Sequence, residues 1–110
     1  MATDQSDLET AAGKLEALGS PVRLQIVREL VRVGESGLPV SALQERVQVA
    51  ASTLSHHLRK LISVDLVRQE RIGTTLVCRA QFPSIRTLAD YLLSECCIEE
   101  TDETPPLREG

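Results

Sequence analysis

The hydrophobic period of this chain changes just after Ser63, and that change limits the fold more than any other feature of the sequence. Upstream, Leu54, Leu58 and Leu61 fall at i, i+4 and i+7, the spacing of one buried face of an α-helix. Downstream, the stretches Leu66 to Arg71 and Thr75 to Ala80 are rich in β-formers, and Gly73 sits at the bend between them. Those two stretches read as a hairpin. A helix feeding directly into a hairpin, in a chain this short, leaves few ways to close a core.

The remaining segments read as helices. Leu8, Ala11, Ala12, Leu15 and Leu18 recur at helical spacing and stop at Gly19. Ser20 followed by Pro21 restarts the helix, with a hydroxyl to cap it and a proline at its first position. The second helix is predicted over Pro21 to Val33, with Leu24, Val27, Leu30 and Val31 inward. Gly34 to Pro39 reads as a loop by composition. Ser41 is the candidate cap of a third helix ending at Val47, with Leu43 and Val47 inward. A fourth helix starts at Ala50 or Ala51 and runs to about Ser63. Ser84 is the candidate cap of a last helix, whose broad apolar stripe comprises Ile85, Leu88, Ala89, Leu92, Leu93 and Cys96.

The expected organisation is a flexible N-terminus over 1–6, one folded unit over 7–98 and a disordered acidic tail over 99–110. The chain has 110 residues, and Phe82 and Tyr91 are its only aromatics, so the core must be aliphatic and thin. A second copy is the simplest source of the missing burial, which predicts a homodimer. No apolar run is long enough to span a membrane and no basic-then-apolar leader opens the chain. The expected location is therefore cytoplasmic, with no membrane partner.

Net charge is −4, but it is unevenly placed. Residues 41–86 carry seven Arg or Lys against three acids, a net of +4, while the segments on either side are acidic. A basic middle on an acidic body suits one cationic face. Two short helices joined by a turn and followed by a hairpin form a winged helix-turn-helix, a mainly α fold with a β-hairpin wing. In that arrangement the second helix enters the major groove and the wing lies on phosphates. Opposite the leucine stripe, the fourth helix offers Ser52, Thr53, Ser55 and His56 at its front, suited to base edges. Arg59 and Lys60, further back, suit phosphates, as do Arg68, Arg71 and Arg79 on the wing. His57, beside Leu58, reads as a packed, hydrogen-bonded histidine. The lack of an aromatic platform argues against single-stranded or RNA partners and leaves double-stranded DNA.

Three stretches, LEALGSPVRLQIVREL (Leu15 to Leu30), STLSHHLRKL (Ser52 to Leu61) and LVRQERIGTTLVCRA (Leu66 to Ala80), resemble the ArsR/SmtB family of winged-helix repressors in sequence and in order. The resemblance spans about residues 8–97. It implies a homodimer built from the first and last helices, bound to operator DNA of dyad symmetry and released by an inducer. One departure is Ala50, where members often carry a better helix cap.

Two sensor sites common in that family are missing. Val40 to Val47 has no cysteine, and Ser84 to Glu95 has no histidine. The cysteines left are Cys78, Cys96 and Cys97, too few for a disulfide scaffold. On the second strand Cys78 alternates with Leu76 and Ala80 and points inward. Six extended residues to Ser84 cover about 20 Å, and twelve helical residues back to Cys96 cover about 18 Å. Chain reversal therefore predicts that Cys96 returns level with Cys78. Cys97 lies about 100° further round an intact helix, so the adjacent thiols converge only if that turn frays or if the site borrows a thiol across the dimer.

Thiolates favour thiophilic acceptors. Three sulfurs match trivalent arsenic or antimony, and two satisfy a monomethylated arsenical. The family resemblance extends here to arsenic-responsive members with cysteines in the last helix, which implies metalloid as inducer and no permanent cofactor. The alternatives are a thiol redox switch and a cysteine that merely fills the core. Reactive thiols want cationic surroundings, whereas Glu95, Glu99 and Glu100 surround this pair. No C-x-x-C, phosphate-cradling glycine loop or acid–base pair suggests an enzyme.

Overall fold

The computed structural model describes residues 5–100 and holds five α-helices and a three-stranded antiparallel sheet. Helix α1 spans Gln5–Leu18, so it begins inside the segment expected to be flexible. The rest of that segment, and residues 101–110 of the expected tail, lie outside the described residues. Ser20 caps α2 (Pro21–Val33) as predicted, its Oγ accepting from the Arg23 amide at 3.3 Å, with Pro21 at the helix start. No described helix is long and apolar enough to cross a membrane.

The predicted loop over 34–39 contains a strand. A short 3-10 turn, Gly34–Ser36, leads into β1, Leu38–Pro39. Its partner is β3, with Leu38 opposite Cys78 and Pro39 opposite Val77. Gly37 makes that approach feasible. Its φ is 70°, and an added Cβ would stand 2.5 Å from the Cys78 carbonyl oxygen and 2.7 Å from Arg79 Cγ. Only a residue without a side chain fits there. Two residues, one of them a proline at a sheet edge, carry no alternating pattern, which explains why composition reads as loop.

Helix α3 (Val40–Val47) buries Leu43 and Val47 and ends at Gln48 in the left-handed region. Helix α4 follows over Ala51–Ser63, with extended Ala50 before it and no side-chain cap. Leu54, Leu58 and Leu61 are all buried, as the period requires. The hairpin comprises β2 (Val67–Ile72) and β3 (Thr75–Ala80) in the order β1-β3-β2. Ile72 pairs with Thr75 across a two-residue turn in which Gly73 takes a φ of 63°. Because β3 is the central strand, both Val77 and Cys78 are buried.

Two helix faces and two caps differ from the sequence reading; on α3 Pro39 precedes the helix, and Ser41 lies inside its first turn without capping it. On α2 the inward residues are Ile26, Val27 and Leu30, while Leu24 and Val31 are exposed. Arg23 lies on the inward face at i, i+3, i+4 and i+7 with those three, so burying them carries its guanidinium to α1 and α4. On α1 the buried residues are Ala11, Lys14 and Ala17, whereas Leu8 and Leu15 are exposed. On α5 (Phe82–Leu93) Gln81, not Ser84, occupies the capping position. Ser84 is buried in the first turn, where its carbonyl accepts from Lys14 Nζ at 3.1 Å. The core is aliphatic as expected. Ile26, Leu30, Leu43, Leu54, Leu61, Leu66 and Val67 are its largest fully buried apolar side chains, and Phe82 packs only against its margin.

Candidate functional site

Helix α4 presents Ser52, Thr53, Ser55, His56 and Arg59 to solvent on the side away from its leucines. Small hydroxyls at the first turn leave room for base edges, and the arginine two turns later reaches outward. Lys60 is half-buried, with Nζ 2.9 Å from Glu16 Oε1 on α1. That pair holds the Glu16 carboxyl below its ordinary range, through the Lys60 hydrogen bond first and its charge second. It is an exposed ion pair and can exchange for a phosphate.

The wing arginines separate. Arg71 is exposed beside the hairpin turn and forms no ion pair among the described residues. Arg68 stands at the hairpin base, donating to Gln81 Oε1 at 3.1 Å. Arg79 is committed elsewhere: its guanidinium pairs with Glu70, and its Nε donates to the Glu35 carbonyl at 2.9 Å. It braces the sheet against the turn before β1, which corrects its expected place on phosphates.

His57 is the packed histidine the sequence suggests. Its Nδ1 lies 3.2 Å from an Arg23 guanidinium nitrogen. Burial pushes its pKa below 6.5, and the Arg23 and His56 charges add to that. Arg23 also donates from Nε to the Ala17 carbonyl at 2.6 Å. Arg23 belongs to no motif; its one signal in the sequence is a charge on the inward face of α2, which calls for a polar partner.

The cysteines divide into one buried thiol and one exposed pair. Cys78 is 0% exposed, and Gln69 Nε2 donates to its Sγ at 3.5 Å. Burial pushes that thiol up, with Gln69 opposing. Cys96 and Cys97 lie beyond α5, because the helix ends at Leu93 and not near Cys96. Ser94 turns extended there, its Oγ bonding the Tyr91 carbonyl at 2.8 Å. Short-range turns follow, with Glu95 at a φ of 63° and Cys97 at 66°. The left-handed residues bring the neighbouring thiols together, Sγ to Sγ at 3.1 Å. The Cys97 thiol is pushed up, first by its hydrogen bond with Cys96 and then by the charge on Cys96 and a bond to Glu100. Among the described residues no cluster of three or more His, Cys, Asp or Glu is arranged to hold a metal ion. Cys78 therefore does not join the pair within one chain.

The family model of a helix-turn-helix domain matches residues 18–70, from the end of α1 into β2. The nodulation protein NolR of Rhizobium meliloti is 34% identical over 103 residues, covering 92% of this chain and 81% of that protein. The chain belongs to the ArsR/SmtB family of winged-helix transcriptional repressors. Its fold is shared by an ArsR-like transcriptional regulator from Rhodococcus sp. RHA1, with a TM-score of 0.72 at 24% identity, covering 86% of this chain and 85% of that one. It is also shared by a homodimeric winged helix-turn-helix DNA-binding domain from Mycobacterium bovis, with a TM-score of 0.65 at 23% identity, covering 94% and 97%. In this family frame α3 and α4 are the helix-turn-helix, β2 and β3 the wing, and α1 and α5 the outer helices.

Proposed function

We propose that this repressor binds operator DNA as a homodimer and is released when a trivalent arsenical or antimonial bridges Cys96 and Cys97. The observation that carries the inducer is the exposed thiol pair, held 3.1 Å apart by two left-handed residues. One metalloid atom can bond both sulfurs without moving the backbone. Each thiol displaces a hydroxyl from the neutral acid, and two waters leave as two arsenic–sulfur bonds form. Neutral acids tolerate the acidic surroundings that disfavour free thiolate. A pair suits a monomethylated arsenical. Inorganic arsenic or antimony would take its third ligand from solvent or from the second subunit.

Dimerisation through α1 and α5 is supported by the apolar residues these helices and the following turn leave in solvent. Leu92, Leu93 and Ile98 are 57%, 70% and 66% exposed, and Leu8 and Leu15 are exposed on α1. A dimer spaces two α4 helices about one DNA turn apart. Ser52, Thr53, Ser55 and His56 then face base edges, and Arg59, Lys60, Arg68 and Arg71 face phosphates. Capture of metalloid stiffens the turn that continues the α5 seam, which reorients the subunits. A coupling of about 1–3 kcal/mol is enough for regulation.

The rival is oxidation of the same pair, favoured by the same 3.1 Å spacing and opposed by the raised Cys97 thiol. Release from duplex DNA is to be compared for methylarsenite, arsenite, antimonite, zinc, cadmium and peroxide. The proposal expects release by the trivalent metalloids and little by zinc. Release by peroxide alone would transfer the site to redox sensing.

A further inference from the structure

Two contacts tie the outer helix α1 to the DNA-facing helix α4. One is the exposed Glu16–Lys60 pair. The other runs through Arg23 on α2, whose guanidinium reaches both the Ala17 carbonyl, at 2.6 Å, and His57 Nδ1, at 3.2 Å. The Arg23 amide is fixed as well, on Ser20 Oγ at 3.3 Å. One residue thus spans three places: its side chain reaches the last turn of α1 and the middle of α4, and its amide is held at the corner before α2. We propose that Arg23 is a positioning residue for DNA recognition, holding α4 at its angle to α1 through the unprotonated ring of His57. The proposal rests on the reading that α4 is the helix that meets DNA.

The contact has a built-in acid sensitivity. Arginine is always a donor, so His57 Nδ1 must be the acceptor, and the ring is then neutral with its proton on Nε2. Protonation removes that lone pair and sets a second positive charge against Arg23. The other charged groups around the contact are His56, whose ring lies 5.5 Å from that of His57, Lys60 one turn along α4, and Glu16 on α1 paired to it. The Glu16 carboxylate also feels the charge of Arg23, but its hydrogen bond goes to Lys60, and the Arg23 guanidinium is bonded to the Ala17 carbonyl and His57 Nδ1. Acidification therefore loosens α4 from α1. This runs against the usual trend, in which added positive charge tightens binding to a polyanion.

The test uses the full chain and a duplex enriched by repeated selection on the wild-type protein. Affinity is measured at fixed salt between about pH 7.5 and about pH 5.5, the range in which histidine titrates. Wild type is expected to bind more weakly as pH falls. His57→Gln, which keeps an acceptor but cannot titrate, should bind like wild type at the upper pH and lose the acid weakening. His56→Gln should keep it. Arg23→Gln should bind about tenfold more weakly at the upper pH and respond little to acid, as expected for loss of a charged hydrogen bond. Arg23→Lys should recover part of that affinity. Thermal melts of each variant separate misfolding from misplacement. Acid weakening unchanged in His57→Gln, or full affinity in Arg23→Gln, would overturn the proposal.

A readout without DNA keeps the two readings distinct. Ring-nitrogen NMR should show His57 titrating below 6.5 in wild type and moving upward in Arg23→Gln. An identical titration in both proteins would overturn the contact. Failure of the wild type to enrich any duplex would count against α4 as the DNA-facing helix and leave the NMR result to decide the contact.

Discussion

Helix α4 and helix α5 both display an apolar stripe in sequence, yet only the first is closed by its own chain. Leu54, Leu58 and Leu61 are buried against α2 and the sheet, whereas Leu92 and Leu93 stand in solvent. Helix α1 repeats the α5 pattern, with Ala11, Lys14 and Ala17 inward and Leu8 and Leu15 outward. Periodicity identifies a face that must be covered. It does not say whether the cover comes from the same chain or from a second copy, and that difference separates the reading body of this protein from its proposed seam.

The comparison can be strained from the body outward. Leu61→Ala should cost about 2–5 kcal/mol in chemical denaturation, because a fully buried leucine leaves a cavity the surroundings only partly fill. Gly37→Ala should cost about 1–3 kcal/mol, since its Cβ would meet the β3 backbone in a left-handed conformation. A neutral result there would mean that β1 can lift from β3. Leu93→Asp, on the exposed stripe, should change the stability of the body by less than about 0.5 kcal/mol. The same variant should sediment as a monomer and lose dyad binding, and an unchanged dimer would place the seam elsewhere.

The smallest effect is the pH dependence of folding. The His57 pKa is lowered in the folded chain, so the unfolded chain binds more protons below 6.5. Its contribution is therefore fully present above 6.5 and is lost as pH falls through the lowered folded value. His57→Gln should flatten that part of the stability profile, and a profile identical to wild type would remove His57 as its source.

Local signals were the legible ones. Ser20-Pro21 started α2, Gly73 turned the hairpin, and the leucines of α4 fell inward, each fixed by a few neighbouring residues. What escaped depended on distant partners. The two-residue strand β1 depends on Gly37 letting it press on β3, and the face of α2 depends on the distant residues that bury Ile26, Val27 and Leu30. The end of α5 is a similar case. Apolar spacing extended the helix to Cys96, but Ser94 bonds back to the Tyr91 carbonyl and the chain leaves helical geometry. Counting residues along strand and helix places Cys96 level with Cys78, and brings Cys97 to Cys96 only if the last turn frays or the site is shared across the dimer. Strand pairing instead buries Cys78 on the central strand, and the early helix end joins Cys96 to Cys97.

That division makes the thiol pair the most direct point of attack. Release of bound duplex DNA by methylarsenite should be measured for wild type, Cys96→Ser and Cys78→Ala at equal protein concentration. The account predicts release from wild type and from Cys78→Ala, and retention by Cys96→Ser. Normal release from Cys96→Ser, or loss of release in a folded Cys78→Ala protein, would contradict it.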